Sequence, residues 1–335
     1  MSKINFQEIK KLLPEIKKNV LLKNYTTFKI GGRAKYFFIA KNTEDLIKAI
    51  LVAKKFKLPF FILGGGSNLL VSDKGFKGLV IKIQNTKYKI QNTKIMAEVG
   101  VMLGELVNVS AKTGLSGLEW AVGIPGTVGG AIFGNAGVFG KSMKNIVKEI
   151  EVFDLSNEKI KTFKNKDCQF DYRESIFKKN KNLIILSTKL KLKKEKKSKI
   201  ERKMREYLNY RKENQPLNLP SAGSVFKNYE LRLQPAHHPP EKSGPIKNYE
   251  LVKEFPELRE FNKKNLIPAA WLIEKCGLKG KKIGGAKISE KHANFIVNLG
   301  EAKAEDVKKL INLAKKKVKN KFSITLEEEI QFLGF

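Results

Sequence analysis

Two glycine-rich segments constrain the fold of this chain more than any other feature of its sequence. The first, Gly64–Asn68, follows the apolar run 59–63, and the second extends from Gly123 to Gly137. Glycine has no Cβ, so its backbone can approach a ligand closely, and amides that follow a strand can form a concave nest for an anion. Neither segment has the G-x-G-x-x-G pattern or the pattern of a P-loop. One segment alone favours a packing turn, whereas the two together predict a site for a planar or anionic ligand.

The residues before the first glycine segment alternate between strand and helix signals. Residues 36–40 predict a strand, Asn42 or Thr43 a helix cap, and Glu44–Phe56 an amphipathic helix with its apolar residues on one face. Pro59–Leu63 predicts a short buried strand that leads into the glycines. This order of strand, helix, strand and glycine loop is typical of a nucleotide-binding α/β unit.

The length of 335 residues predicts two or three domains, and the local signals divide the chain into three units. We predict a first unit over 1–84, completed by a C-terminal strand within 322–335, a second over 85–214, and a third over 215–321. Further strands are predicted at Ile95–Val99, Ile146–Phe153, Leu183–Lys191, Asn294–Asn298 and Ile324–Leu333, and further helices at Met102–Thr113, Ser198–Glu213, Ala269–Cys276 and Ala304–Lys319.

The third unit contains a local duplication. Lys227–Leu231 recurs as Lys247–Leu251, and the residues between the two copies have the composition of a loop. We interpret the stretch of about 229–266 as a surface insertion rather than a functional motif.

The net charge of +33 invites the hypothesis of a nucleic-acid-binding protein. Only seven of the 66 basic residues are arginine, and the densest run, Lys189–Lys203, contains no aromatic residue. Base readers and phosphate clamps favour arginine forks interleaved with aromatics. The pattern therefore favours lysine-rich solvated faces and no specific nucleic-acid partner, although the positive field attracts anionic ligands such as nucleotides.

Few residues are available to bind a metal. Cys168 and Cys276 have no metal or redox spacing, and the chain has three histidines. No apolar stretch reaches the roughly 18 residues that cross a bilayer, and the N-terminus lacks the pattern of a signal peptide. We expect no metal, no membrane insertion, reduced cysteines and a cytoplasmic monomer.

Four single residues suit chemistry, each with a simpler alternative. Ser224 lies among small residues without a Ser-His-Asp pattern, so it suits proton donation or an ordinary turn. Arg173 suits a carboxylate, a phosphate or a surface ion pair. Glu329 falls on the polar face of the last predicted strand, which by itself predicts a solvated carboxylate. His292 precedes an apolar strand, where a hydrogen-bonded structural histidine is the simpler interpretation.

Taken in order, these segments resemble the MurB-type family of UDP-N-acetylenolpyruvoylglucosamine reductases, from residue 24 to Glu329. The uninterrupted stretch between Arg173 and Ser224 resembles the shorter subtype, which lacks an extra tyrosine-bearing loop. The motifs are NYTTFKIGG at 24–32, GGGSNLLV at 64–71, IPGTVGGAIFGNAG at 124–137, YRES at 172–175, PSAGSVFKN at 220–228 and LKGKKIGGAKISEKHANFIVN at 278–298.

The resemblance implies a fold and its cofactors. It implies an α+β fold, in which a two-subdomain FAD-binding fold of the PCMH/vanillyl-alcohol-oxidase type is joined to a separate C-terminal α/β substrate-binding domain. It also implies FAD and NADPH as cofactors, with small molecules as the only partners. By resemblance, the FAD-binding residues are Gly64, Gly65, Gly66, Ser67, Asn68, Leu69, Ile124, Pro125, Gly126, Thr127, Gly129, Gly130, Asn135 and Gly137.

The resemblance further implies a reaction in peptidoglycan precursor synthesis, and hence in cell-wall biogenesis and cell division. NADPH reduces the flavin, whose N5 then transfers hydride to the enolpyruvyl methylene of UDP-N-acetylglucosamine enolpyruvate, giving UDP-N-acetylmuramate. Arg173 and Glu329 stabilise the enolate, and Ser224 donates the completing proton. The implied substrate contacts are Tyr172, Arg173, Arg211, Asn228 and His292.

The sequence departs from the family pattern beside Asn228. Tyr229 replaces the usual proline, and about 40 residues separate Asn228 from Pro268 where the family has far fewer. An insertion so close to Ser224 could alter access of the substrate. Two other functions are compatible with part of the pattern: another FAD-dependent oxidase of the same fold, which has no need of Arg173, Ser224 and Glu329 together, and a basic nucleic-acid-binding protein with a decayed flavin site.

Overall fold

The computed structural model describes residues 6–230, 253–262 and 266–335. The second copy of the repeat, Lys247–Leu251, and most of the insertion lie outside these ranges. The helices are α1 Phe6–Leu12, α2 Thr43–Lys55, α3 Leu103–Lys112, α4 Val128–Phe133, α5 Ile176–Lys179, α6 Lys197–Asn214, α7 Arg259–Asn262, α8 Ala269–Lys275 and α9 Ala304–Phe322. The strands are β1 Lys17–Leu21, β2 Arg33–Ala40, β3 Phe60–Leu63, β4 Leu69–Val71, β5 Phe76–Ile83, β6 Tyr88–Gln91, β7 Lys94–Glu98, β8 Leu115–Ser116, β9 Gly137–Val138, β10 Lys141–Ser142, β11 Val147–Asp154, β12 Lys159–Lys164, β13 Leu183–Lys191, β14 Lys193–Lys194, β15 Ser221–Ser224, β16 Tyr229–Glu230, β17 Leu266–Ile267, β18 Lys282–Ile283, β19 Ala286–Ile288, β20 Phe295–Asn298 and β21 Gln331–Leu333.

The first sheet has the strand order β1-β2-β5-β3, and its last three strands are parallel. The helix that connects β2 to β3 begins after Asn42, whose side chain accepts a hydrogen bond from the amide of Asp45 at 2.7 Å. Both predicted strands and the predicted helix are therefore present. The strand β3 is half-buried rather than buried, and it ends at Leu63, directly before the first glycine segment.

The second sheet is antiparallel and has the order β12-β11-β13-β7-β6. The buried apolar residues of this sheet pack together with those of α2 and of the face of the first sheet that α2 covers. They form one continuous core, which extends from Ile9 to Leu192. The third sheet, β15-β20-β19-β18, lies against the long helix α9 in a separate core. Phe28, Ile30 and Leu70 from the first unit are buried in this separate core beside α9. The cores therefore do not follow the predicted unit boundaries.

The final strand differs from the prediction. Only Gln331–Leu333 forms a strand, which pairs in parallel with β4 of the first unit. Residues 324–330 lack a regular ladder, although the amide of Glu329 donates to the carbonyl of Val225 at 2.7 Å. Ile324 and Ile330 are buried as the alternation predicts, but Phe332 is 38% exposed. The prediction of one strand over Ile324–Leu333 is wrong.

The insertion is only partly a surface feature. Its ends are joined where Tyr229 pairs with Ile267 in the small ladder of β16 and β17. Leu258 is fully buried in the core beside α9, and the centroid of the Phe255 ring lies 5.7 Å from that of the Trp271 ring. The interpretation as a purely surface insertion is therefore wrong for its described part, which adds apolar side chains to the core.

A carboxylate from the first unit caps the last helix. Asp73 accepts hydrogen bonds from the amides of Ala304 at 2.9 Å and Glu305 at 3.3 Å. These amides are among the unpaired donors at the N-terminus of α9, and a negative charge there is favoured by the helix dipole. Thr27 makes a second link between units, because its hydroxyl donates to the carbonyl of Ser221 at 2.7 Å.

Candidate active site

The two glycine segments lie in direct contact. A Cβ on Gly65 would lie 2.5 Å from the Cα of Gly126, and a Cβ on Gly126 would lie 2.7 Å from Oγ of Ser67. The Ser67 hydroxyl donates to the carbonyl of Pro125 at 3.0 Å. Glycine is required at Gly65 and Gly126 because any side chain would push the two loops apart.

The first loop follows the carboxyl end of β3, and a lysine side chain binds its first residue. Lys82, near the end of the neighbouring parallel strand β5, donates from Nζ to the carbonyl of Gly64 at 2.8 Å. Burial lowers the pKa of Lys82. Ligands of open α/β sheets bind beyond the carboxyl ends of such strands. The sequence analysis missed Lys82, and only its position next to a glycine loop in a parallel pair could have indicated it.

The second loop leads into α4, whose first turn is capped by Thr127 through the amide of Gly130 at 3.3 Å. Three of the predicted cofactor residues are also restricted by packing. A Cβ on Gly129 would lie 2.7 Å from Cβ of Val99, and one on Gly137 would lie 2.5 Å from the carbonyl of Lys141. Asn135 has a positive φ of 41° and donates from Nδ2 to the carbonyl of Asp171 at 2.8 Å. Asn135 thus ties the second loop to the turn that carries Arg173.

The two charged candidates are brought together. Nε of Arg173 lies 2.7 Å from Oε1 of Glu329, although its N–H is not directed along that line, so the two side chains are in close contact without a well-formed hydrogen bond. Arg173 has a φ of 54° within the tight turn 171–174. Burial raises the pKa of Glu329 despite the opposing charge of Arg173. Glu329 is therefore not the solvated carboxylate that strand alternation alone predicts.

Ser224 ends β15 on the same segment that holds Glu329. The chain leaves Ser224 through Val225, whose carbonyl accepts from the amide of Glu329. Within the described ranges the Ser224 hydroxyl makes no hydrogen bond, and the space beside the Cα of Gly223 is open to at least 4 Å. A free hydroxyl next to open space can reach a ligand.

Tyr172 and Asn228 are also in contact. The amide of Asn228 donates to the hydroxyl of Tyr172 at 3.2 Å, and the Asn228 side chain accepts from the amide of Ala269 at 3.1 Å. Burial raises the pKa of Tyr172, so its hydroxyl stays protonated. This pair lies at the base of the insertion, directly before β16.

Arg211 lies near the carboxyl end of α6, and His292 lies three residues before β20. Arg211 is buried beside Gly123, and its Nε and Nη2 have no hydrogen-bond partner among the described residues. Burial lowers the pKa of Arg211. Nδ1 of His292 accepts from the amide of Asn294 at 3.3 Å, and burial lowers the pKa of His292, which favours the neutral ring. Nη1 donates to Oε1 of Gln215 at 3.4 Å, but buried N–H groups without partners, such as those of Nε and Nη2, are costly and indicate a site for an anionic or carbonyl-bearing ligand.

No group of three or more His, Cys, Asp or Glu within the described ranges is placed to hold a metal ion. Cys168 is buried, and burial raises its pKa to about 12. Across these same ranges, no helix is both long enough and apolar enough to span a membrane.

Comparison with known proteins defines the class to which this fold and site belong. Residues 34–164 match the family described as FAD binding domain, and residues 215–333 match the family described as UDP-N-acetylenolpyruvoylglucosamine reductase, C-terminal domain. The chain is an FAD-dependent oxidoreductase, with the two-subdomain FAD-binding fold and C-terminal domain that the resemblance implied.

Full-length relatives define the family. The chain is 42% identical over 323 residues to UDP-N-acetylenolpyruvoylglucosamine reductase from Caldicellulosiruptor bescii, covering 96% of this chain and 91% of that protein. It is 40% identical to the protein of the same name from Caldanaerobacter subterraneus, covering 100% and 99% of the two chains. The crystal structure of the Thermus caldophilus reductase superimposes with a TM-score of 0.73 at 32% identity, over 95% of this chain and 99% of that chain. The chain belongs to the UDP-N-acetylenolpyruvoylglucosamine reductase family.

The residues fit FAD in three respects. The contact of Gly65 with Gly126 leaves backbone rather than side chains to meet a planar cofactor. The amide of Gly65 donates no hydrogen bond within the described ranges, which leaves it free for a phosphate. Arg211, whose Nε and Nη2 have no partner among the described residues, lies beside Gly123 of the second loop.

The contact between the loops predicts the effect of Gly65→Ala. The added methyl group must move the backbone of Gly126, so we expect FAD affinity to fall at least about tenfold, which corresponds to about 1.4 kcal/mol. Titration of the flavin-free protein with FAD, followed by flavin fluorescence, measures this change.

Gly104→Ala is the matched control. Gly104 lies in α3 with no atom within 4 Å of a notional Cβ, and alanine favours a helix over glycine by roughly 0.5–1 kcal/mol. We expect unchanged FAD affinity for this variant. Equal affinity of Gly65→Ala and the unchanged protein would contradict the requirement for glycine.

Proposed function

We propose that the protein catalyses the NADPH-dependent reduction of UDP-N-acetylglucosamine enolpyruvate to UDP-N-acetylmuramate, a step of peptidoglycan precursor synthesis in the cytoplasm. The observation that carries the proposal is the convergence of Arg173, Glu329 and Ser224. Glu329 contacts Arg173 through its side chain and the segment after Ser224 through its backbone. An oxidase of alcohols or sugars with the same cofactor fold has no need of this combination.

FAD, bound by the glycine loops and reduced by NADPH, would supply the hydride that is added to the terminal methylene carbon of the enolpyruvyl group. The adjacent carbon and the carboxylate then share negative charge as an enolate. Arg173 is placed to hold this carboxylate, and its half-buried position strengthens the attraction relative to bulk water. Its left-handed backbone conformation is fixed by the paired turn 171–174, so the guanidinium is oriented before the substrate arrives.

Glu329 stabilises the negative charge of the same enolate when its own carboxyl group is protonated. A carboxylate beside an enolate would repel it, whereas a carboxylic acid donates a hydrogen bond. Burial raises the pKa of Glu329, which favours the protonated form in the free enzyme.

Ser224 donates the proton that completes the lactyl ether. Its hydroxyl has no hydrogen-bond partner within the described ranges, so the hydroxyl can turn toward the substrate. A serine hydroxyl is a weak acid, and the positive charge of Arg173 in the same site lowers the cost of its transient ionisation.

The remaining residues bind the substrate and the cofactor. Tyr172 and Asn228 line the approach to Ser224, and Arg211, near the carboxyl end of α6, and His292 contact the substrate. The backbone amides of the two glycine loops hold FAD. We assign NADPH, like the enolpyruvyl substrate, to the open space beside Gly223.

The role of Ser224 predicts a separation of the two half-reactions. In Ser224→Ala, NADPH should reduce the flavin at the rate of the unchanged enzyme, because no proton from serine is needed there. Product formation should fall at least about a hundredfold, as expected for loss of a general acid. Stopped-flow absorbance of the flavin and chromatography of UDP-N-acetylmuramate measure the two steps.

Ser221→Ala is the control for this variant, since Ser221 lies on the same strand and its hydroxyl only accepts from the amide of Gly223 at 3.4 Å. Its product formation should stay within about threefold of the unchanged enzyme. Full product formation by Ser224→Ala would exclude Ser224 as the proton donor.

The raised pKa of Glu329 predicts a pH-dependent loss of stability. Because the folded protein keeps this proton to a higher pH than the unfolded chain, folding is weakened as the pH rises above 4.5 towards the raised pKa of Glu329. We expect Glu329→Gln to remove this part of the pH dependence of the free energy of unfolding, measured by urea denaturation from pH 4.5 upwards.

Glu328→Gln is the matched neighbour, because Glu328 points away to Lys315, at 2.8 Å, and not to Arg173. The free energy of unfolding of Glu328→Gln should depend on pH as that of the unchanged protein does from pH 4.5 upwards. If Glu329→Gln also kept the unchanged profile, Glu329 would be ionised throughout and could not act as a hydrogen-bond donor.

A further inference from the structure

Lys227, Glu174 and Lys178 form a group of charged side chains that neighbour Arg173 and Ser224 along the chain. The mechanism proposed above gives this group no role. Nζ of Lys227 lies 2.8 Å from Oε1 of Glu174. Nζ of Lys178 lies 3.1 Å from the same oxygen and also donates to the carbonyl of Arg173 at 2.8 Å. Glu174 therefore accepts from two ammonium groups that belong to different parts of the chain.

The pair of Lys227 and Glu174 is better shielded from water than most ion pairs of the described structure. Their side chains are 18% and 28% exposed, whereas surface pairs such as Lys41 and Glu15 exceed 50%. Although burial opposes the charged forms, the contact raises the pKa of Lys227 and lowers the pKa of Glu174. Shielded pairs with good geometry can hold two segments in place where exposed pairs contribute little.

The position of the pair links the two halves of the active site. Glu174 directly follows Arg173, and Lys227 lies three residues after Ser224. The turn of Arg173 has a positive φ, a conformation that persists only where its surroundings fix it. Holding Glu174 fixes the end of that turn against the segment that leaves Ser224.

We propose that Lys227 and Glu174 form a positioning latch, an ion pair that holds the Arg173 turn in register with Ser224 and Glu329. The latch rests on the proposed roles of Arg173 and Ser224 and adds two residues that touch neither cofactor nor substrate. It acts in the step that forms and protonates the enolate, because only that step needs Arg173 and Ser224 in mutual register. Reduction of the flavin by NADPH does not need it.

The same lysine provides an internal control. Oε2 of Glu327 also approaches Nζ of Lys227, at 3.4 Å, but the Glu327 side chain is 73% exposed. Glu327→Gln therefore removes one negative charge near Lys227 without removing the shielded contact. A general effect of charge near Lys227 would affect both glutamate variants, whereas the latch concerns Glu174 alone.

The test uses the FAD-loaded full chain with Lys227→Met, Glu174→Gln, their combination, Lys227→Arg and Glu327→Gln. We expect Lys227→Met and Glu174→Gln each to lower kcat for product formation at least about tenfold, since misplacement of a catalytic group by about 1 Å can cost a hundredfold. KM for NADPH, the rate of flavin reduction and the melting temperature should stay close to those of the unchanged enzyme.

Three comparisons distinguish a latch from loss of structure or from a general effect of charge. The double variant should be no slower than Lys227→Met alone, because two residues that act as one pair are not additive. Lys227→Arg should recover most of kcat, since arginine can bind the same carboxylate. Glu327→Gln should stay within about twofold of the unchanged enzyme.

Several results would overturn the latch. These are an unchanged kcat in Lys227→Met, an equal loss in Glu327→Gln, additive losses in the double variant, or a matching loss in flavin reduction. If the unchanged enzyme failed to reduce the enolpyruvyl substrate, the proposed function would fall and the latch with it. Normal turnover that is indifferent to Lys227→Met would overturn the latch alone.

Discussion

The active site depends on how the last residues of the chain are held. The amide of Glu329 binds the segment after Ser224, the carbonyl of Glu329 accepts from Asn68 of the first glycine loop, and β21 pairs with β4 directly after that loop. One short segment thus joins the cofactor loop, the serine strand and Arg173. The burial that this arrangement imposes on Glu329 also raises its pKa, so the same constraint sets geometry and protonation.

The glycine contacts form the second constraint, and they act on the opposite side of the site. Gly65 and Gly126 bring two distant loops to backbone contact, while Asn135 connects the second loop to the turn of Arg173. Displacement of either loop would therefore move both the cofactor cradle and the guanidinium. The glycine loops, the Arg173 turn and the segment of Glu329 are therefore held together as one site by contacts between distant parts of the chain.

Local patterns were sufficient to predict most of the helices and strands. The predicted strand Leu183–Lys191 matches β13, and the predicted helix Met102–Thr113 exceeds α3 by one residue at each end. Periodicity and capping are properties of neighbouring residues, so the sequence exposes them. The last strand was wrong because Ile324 and Leu326 are buried by tertiary contacts without the ladder that alternation suggests.

Contacts between distant residues could not be predicted in the same way. Nothing near Arg173 or Glu329 indicates that these side chains meet, and the pattern around Lys82 and Leu258 gives no sign of their burial. The contributions of Tyr172, Asn228, Arg211 and His292 to substrate binding came from the family resemblance and stay predictions.

The direct test of the central claim is NADPH oxidation by the FAD-loaded enzyme with and without UDP-N-acetylglucosamine enolpyruvate. The account predicts rapid oxidation only with this substrate, with UDP-N-acetylmuramate formed in equal amount, and NADPH oxidation that is indifferent to the substrate would contradict it.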